Sequence, residues 1–419
     1  MGRFDSGATY KKKLLLLGCS TVIALVTAEL LVRLLFPHVR GTHQHPSSIW
    51  RDDFLSHDRL GRHHPLLGWT LRPNEETVNR GWEFEHVIRT NSRGFRDEEV
   101  PYERRPDIRR IVLLGDSFGM GDGVERQQSF AELLENLLPK TEVVNLSVSG
   151  YGTDQELLAY ETEGKKYRPD IVLLAFTSAN DFQNNVSKQQ YGLGKPHYEF
   201  AGGKVKLRGV PVPEWPAGKI SDATDTKTPS PFPAHDFLDA NSALYALAFD
   251  RISRVPSIRR RWEKTELLYT QVEAFYAGQV GIFNTGPSPQ LASAWQLTLG
   301  LLEKWQKEAL EENAQPVLLL VPSHLQVYPE IWNRAARQYD LRPEDFNPRY
   351  PNDRLKEFCK ARNLAVIDLL PDFRSAADAG KSLYYKRNPH WNREGHYLAA
   401  KVIARELSGR GCLDKKNPL

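Results

Sequence analysis

The feature that most constrains this fold is a series of short apolar runs, each closed by small or polar residues and separated from the next by a helix-start signal. Arg110-Ile111-Val112-Leu113-Leu114, residues 141–146 and residues 170–176 read as strands, each a short segment rich in branched apolar side chains and closed by turn formers. After the first run, Ser129-Phe130-Ala131-Glu132 has the capping-box pattern and predicts a helix to about residue 138. After the second, Thr153-Asp154-Gln155-Glu156 repeats the pattern and predicts a helix to about residue 167. Strands that alternate with capped helices predict a parallel, right-handed, doubly wound α/β sheet. Residues 316–321, after a long amphipathic helix at about 289–313, and residues 364–369, after a helix near 353–362, bring the sheet to five strands of flavodoxin-like type.

Parallel strands share one carboxyl edge, and ligands of open α/β sheets bind there. The first strand runs into Gly115-Asp116-Ser117-Phe118-Gly119, the second into Ser149-Gly150-Tyr151-Gly152, and the third into Ala179-Asn180-Asp181. Ser117 is therefore a candidate nucleophile, while Gly-Asp-Ser is also an ordinary strand-to-turn sequence. The backbone N–H groups of Ser117 and Gly150 and the side-chain amide of Asn180 would suit a developing oxyanion. Glycine at position 150 lets backbone approach a substrate closely. A late polar loop, Asn388-Pro389-His390-Trp391-Asn392, precedes a helix to about residue 407 and offers His390 as a general base.

The amino terminus carries a second constraint. Residues 14–36 form a mostly apolar run preceded by Lys11, Lys12 and Lys13, long enough to span a bilayer, with the lysines expected on the cytoplasmic side and the rest of the chain outside the cytoplasm. Glu29 and Arg33 interrupt the run four residues apart, where they can pair or snorkel. Competing readings are a signal peptide ending at Val26-Thr27-Ala28 and a lipoprotein site at Leu16-Leu17-Gly18-Cys19; the uncleaved anchor is the expectation. The resulting plan is a tail at 1–13, an anchor at 14–36, a tether and small β-rich segment at 37–106, an α/β domain at 107–410 and a tail at 411–419.

Within that domain, residues 198–285 interrupt the alternation. They hold a hairpin expected at Gly202-Gly203, a proline-rich irregular tract and helical segments around 238–262 with Arg251, Arg254, Arg259, Arg260 and Arg261. Those arginines could meet an anionic substrate or lipid headgroups, or form a solvated face. Lys+Arg outnumber Asp+Glu by only 56 to 52, without a concentrated basic tract in the core, which argues against nucleic acid as a partner. His63 and His64 lack a second ligand pair at metal-site spacing and read as surface histidines. Cys359 and Cys412 are the only cysteines outside the anchor, so a disulfide is allowed but not required.

In order and spacing, Gly115-Asp116-Ser117, Gly150, Asn180 in Ala179-Asn180-Asp181, and His390 with Trp391, Asn392, Gly395 and His396 resemble the SGNH (GDSL-type) hydrolase superfamily. The likeness covers roughly 110–181 and 316–407. The anchored layout and the His-Trp-Asn ending are similar to the branch that includes enzymes handling O-acetyl groups on extracellular polysaccharides. The resemblance implies a serine hydrolase or O-acyltransferase that needs no metal or organic cofactor. Ser117 would attack an ester of an acylated glycan or lipid-like substrate, and His390 would take the proton.

One departure stands out. The family places an aspartate two or three residues before the histidine, and this chain has Asn388 and Arg387 there. An amide can accept a hydrogen bond from His390, yet it carries no charge and can instead donate and favour the wrong tautomer; in serine proteases the Asp-to-Asn change costs about 10⁴ in turnover. The sequence therefore leaves open a Ser-His dyad oriented by Asn388 or a backbone carbonyl, a carboxylate from elsewhere such as Asp368, Asp372 or Glu394, and an impaired protein whose groove only binds carbohydrate or lipid.

Overall fold

A computed structural model describes residues 6–35, 60–80, 83–178, 180–191, 193–214, 280–286, 288–338, 341–386 and 388–409, with a few positions between 237 and 248. The chain divides into two compact units, one of 1–49 with 224–269 and one of 50–223 with 270–419.

In the first unit, α1 (Ser6–Leu35) includes a stretch at Leu16–Leu35 long and apolar enough to cross a membrane, and nearly all of it is exposed. Glu29 pairs with Arg33 at 2.7 Å. The Glu29 carboxylate also accepts from Ser242 Oγ and from the N–H groups of Ala243 and Leu244 at 2.8–2.9 Å. The other helical segments expected between 238 and 262, with their five arginines, lie outside the described residues, as do the proline tract beyond Glu214 and Cys412.

The second unit opens with two antiparallel hairpins, β1 (Gly61–His64) with β2 (Gly68–Leu71) and β3 (Glu76–Arg80) with β4 (Glu85–Arg89). His63 and His64 lie in β1 and are half-buried, so the expectation of surface histidines is corrected. His63 Nε2 is 2.9 Å from the Val212 carbonyl, and His64 Nδ1 accepts from the N–H groups of Leu66 and Leu67. Histidine serves here as a turn acceptor, a role that composition does not signal.

The core then alternates β5 (Arg109–Leu114), a one-turn helix α2 (Ser117–Met120), α3 (Phe130–Leu137), β6 (Thr141–Asn145), α4 (Thr153–Thr162), β7 (Ile171–Thr177) and α5 (Asp181–Val186). A small hairpin, β8 (Gln189–Gln190) with β9 (Leu193–Gly194), leads to a second, β10 (His197–Ala201) with β11 (Lys204–Arg208), whose turn is the expected Gly202-Gly203. The alternation resumes with α6 (Pro289–Glu311), β12 (Gln315–Val321), α7 (His324–Val327), α8 (Pro329–Gln338), α9 (Tyr350–Ala361), β13 (Ala365–Asp368), α10 (Leu370–Asp378) and α11 (Arg393–Gly409).

The five long strands form one parallel sheet in the order β13-β12-β7-β5-β6. The three inner strands, β12, β7 and β5, are apolar over most of their length because both faces are covered, whereas the edge strand β6 keeps only Val143 and Val144 as its apolar centre. In β5, Ile111 and Leu113 enter one core with Phe130, Leu134, Trp391 and Ile403, while Val112 and Leu114 enter the other with Leu158, Leu174, Leu301 and Trp305.

Neither expected capping box closes: at Ser129 only the hydroxyl half forms, because the Glu132 carboxylate pairs with Arg126 and the Ser129 N–H donates to the Arg126 carbonyl. Ser129 caps α3, its hydroxyl accepting from the Glu132 N–H. Thr153 does not cap: α4 already begins at Thr153 with Gly152 as N-cap, and the Thr153 hydroxyl is buried without a hydrogen-bond partner. The helix predicted to residue 167 stops at Thr162 and ends in a 3-10 turn, Gly164–Tyr167.

Candidate active site

Ser117 is the first residue of α2, directly after β5, so its N–H has no acceptor within the helix. Asp116 caps that helix: one carboxylate oxygen accepts the Phe118 N–H at 2.9 Å, and the other accepts from Asn180 Nδ2 at 2.8 Å. Asp116 is fully buried, and burial raises its carboxyl above the usual range while the Asn180 bond pulls it back. The Asn180 amide nitrogen carries a second N–H besides the one given to Asp116. Gly119 is needed on the same turn, since a Cβ there would lie 2.2 Å from Ser147 Oγ.

The loop that follows is fixed by Arg96, Asn145, Ser149 and Asp122, none of them a site candidate from sequence. The buried Arg96 guanidinium donates to the carbonyls of Met120, Gly121 and Val124, and also to Val87 in β4. Asn145 Nδ2, at the end of β6, donates to the Gly119 carbonyl at 2.9 Å. Ser149 Oγ donates to Asp122, a buried carboxyl pushed up to about 6 by desolvation. These are polar residues in irregular segments, where no periodicity distinguishes a buried group from a solvated one.

Gly150 has φ +80, in the left-handed region that glycine tolerates. A Cβ at that position would lie 2.3 Å from Tyr191 Cε2. The strand end is roofed from the hairpins: Trp69 Nε1 donates to the Ser149 carbonyl at 3.1 Å, and Tyr151 Oη donates to the Trp69 carbonyl at 2.6 Å.

His390 reaches Ser117 from the other side. Its Nε2 is 2.6 Å from Ser117 Oγ, and its Nδ1 is 2.6 Å from Asn388 Oδ1. The same Asn388 oxygen accepts the His390 backbone N–H at 3.0 Å. A backbone N–H can only donate, so the amide is held with its oxygen toward the ring. Nδ1 therefore carries the proton, and Nε2 is left to accept from the serine.

The loop is braced by a short antiparallel bridge between Tyr384 and Trp391, with Tyr385 N–H donating to the His390 carbonyl at 3.1 Å. The Phe118 ring stands 5.0 Å from His390 and 5.1 Å from Trp391. His390 is 3% exposed, and burial depresses its pKa to about 3. The remote carboxylates considered as partners are engaged elsewhere: Asp368 with Asn352 and Lys356, and Asp372 with Arg405. Glu394 lies exposed at the start of α11.

Two family models match the chain. The GDSL-like lipase/acylhydrolase family matches residues 113–350, and the SGNH hydrolase-like domain of acetyltransferase AlgX matches residues 284–417. No curated protein matches the chain. Among solved structures, a member of the lipolytic G-D-S-L family from Veillonella parvula is 12% identical over 71% of this chain and 96% of its own, with a TM-score of 0.35. The lipase/acylhydrolase from Enterococcus faecalis is 14% identical over 72% and 97%, with a TM-score of 0.35. An acetyl xylan esterase is 11% identical over 70% and 97%, again with a TM-score of 0.35.

Proposed function

Because the chain belongs to the GDSL-like lipase/acylhydrolase family, we propose that it is a membrane-anchored, extracytoplasmic serine esterase or O-acyltransferase that works through an acyl-enzyme on Ser117. The observation that carries this reading is the relay of two 2.6 Å hydrogen bonds from Ser117 Oγ through His390 to Asn388 Oδ1. Ser117 Oγ forms a bond to the ester carbonyl carbon as its proton passes to His390 Nε2. The N–H groups of Ser117 and Gly150 and the second N–H of Asn180 stabilise the oxyanion. The bond to the leaving oxygen then breaks as that oxygen takes the proton from His390. Water, or a sugar hydroxyl in the transferase case, repeats the cycle in reverse to release the acyl group.

The match to an acetyltransferase domain over 284–417 supports an acetyl group as the cargo and an acylated glycan as the substrate class, with a lipid-like ester as the other candidate. The apolar stretch Leu16–Leu35, preceded by three lysines, supports anchoring with the catalytic unit outside the cytoplasm. A second reading, an impaired carbohydrate- or lipid-binding protein, draws on one observation: the His390 imidazolium would have an uncharged partner at Nδ1.

Full-length chain in detergent should hydrolyse an activated acetyl ester, and Ser117→Ala should reduce the rate to background. Equal rates for the two proteins would end the enzyme reading and leave the binding one. On intact cells, a membrane-impermeant fluorophosphonate should label the wild type and not Ser117→Ala. Reactivity seen only after lysis would overturn the extracytoplasmic assignment.

A further inference from the structure

The mechanism above leaves the acyl group itself without a binding partner, and Tyr191 packs over Gly150, one of the groups proposed to hold the oxyanion. Tyr191 is at the turn of the β8–β9 hairpin with φ +55, a left-handed conformation that costs an aromatic residue energy and persists only where its surroundings fix it. Its ring covers Gly150, with Cε2 2.3 Å and Cζ and Oη 2.9 Å from the position of an added Cβ. The Trp69 ring flanks it, with centroids 6.2 Å apart. The root of the hairpin is tied down twice: Lys195 N–H donates to the Lys188 carbonyl at 3.1 Å, and the buried Lys195 ammonium pairs with Asp154 and donates to the Asn184 carbonyl at 2.9 Å. Burial, then the nearby Asp122 and Asp116, push the Tyr191 phenol upward, so the wall it forms is neutral.

The geometry of an ester decides what such a wall does. With the carbonyl oxygen in the oxyanion site, the leaving oxygen must face His390 Nε2 to receive its proton, and the acyl substituent must point the other way. His390 approaches from the face whose core holds Phe118 and Trp391; Tyr191 and Trp69 belong to the opposite core, with Val148 and Tyr151. Resting on the acyl-enzyme reading, we propose that Tyr191 closes the acyl pocket and makes the site selective for short acyl groups, acetyl above all.

The test compares kcat/KM for p-nitrophenyl acetate and octanoate in full-length wild type, Tyr191→Gly and Tyr191→Phe. Glycine relieves the positive φ while removing the ring, so that variant should fold, and the ratio of two esters is insensitive to a general loss of active protein. The octanoate-to-acetate ratio should rise about tenfold or more in Tyr191→Gly. It should stay at the wild-type value in Tyr191→Phe. Ser117-dependent cleavage with an unmoved ratio in Tyr191→Gly would overturn this inference alone. Cleavage that persists in Ser117→Ala would overturn the acyl-enzyme reading and this inference together.

Discussion

At the scale of single residues, the unusual feature is Asn388 at the base of the relay. An asparagine in place of aspartate brings two losses, the wrong tautomer and the missing charge. Here the first is avoided, because the His390 backbone N–H fixes which end of the amide faces the ring. Since the tautomer error accounts for the roughly 10⁴ loss in serine proteases, restoring the charge should give back much less, about 10- to 100-fold in kcat for Asn388→Asp. A gain near 10⁴ would mean that the amide turns over in solution. The pH profile separates the same ideas. His390 acts as base only when neutral, and burial holds its pKa near 3, so kcat/KM should stay level well below pH 6. Asn388→Asp favours the imidazolium and should move the acid limb up toward neutrality. A wild-type limb at about 6.5 would contradict the burial argument.

At the scale of elements, Gly150 couples two segments that are distant in the chain. Gly150→Ala must adopt φ +80 and displace the Tyr191 ring, which should cost about 2–4 kcal/mol and lower the melting temperature by several degrees. Unchanged melting would mean that the β8–β9 hairpin yields freely. The elements were unevenly legible. The inner strands β5, β7 and β12 could be read because burial on both faces leaves apolar runs, and the edge strands β6 and β13 because helix signals flank their shorter apolar centres; Ser117, Gly150 and Asn180 could be aligned because parallel strands end on one edge. Thr153 misled because its capping pattern matches that of Ser129, while the helix already starts one residue earlier. Arg96, Asp122 and Tyr191 were invisible for a different reason: each is buried by contacts between segments far apart in the chain, and polar or turn residues give no local sign of that.

At the scale of the whole molecule, the larger unit places charge inside as well as at its surface. Lys195 and Asp154 are both fully buried and paired, linking the hairpin segment to α4 at the sheet. Lys195→Met leaves a carboxyl uncompensated in the interior and should destabilise the unit by about 3–5 kcal/mol, read from chemical denaturation. Adding Asp154→Leu should recover most of the loss; a double variant as weak as the single one would argue that the lysine matters through its bond to the Asn184 carbonyl instead.

The relay also carries a consequence for timing. Ser117 and His390 are 273 residues apart, and the histidine loop is held by Trp391 and by α11, the last described helix, which packs against α3. A chain synthesised amino end first therefore presents its serine long before His390 exists to accept its proton. Closing so long a loop is among the slowest contacts a domain makes. On the acyl-enzyme reading, the nascent protein should thus be inert toward esters throughout its synthesis, gaining reactivity only when the histidine loop and α11 arrive.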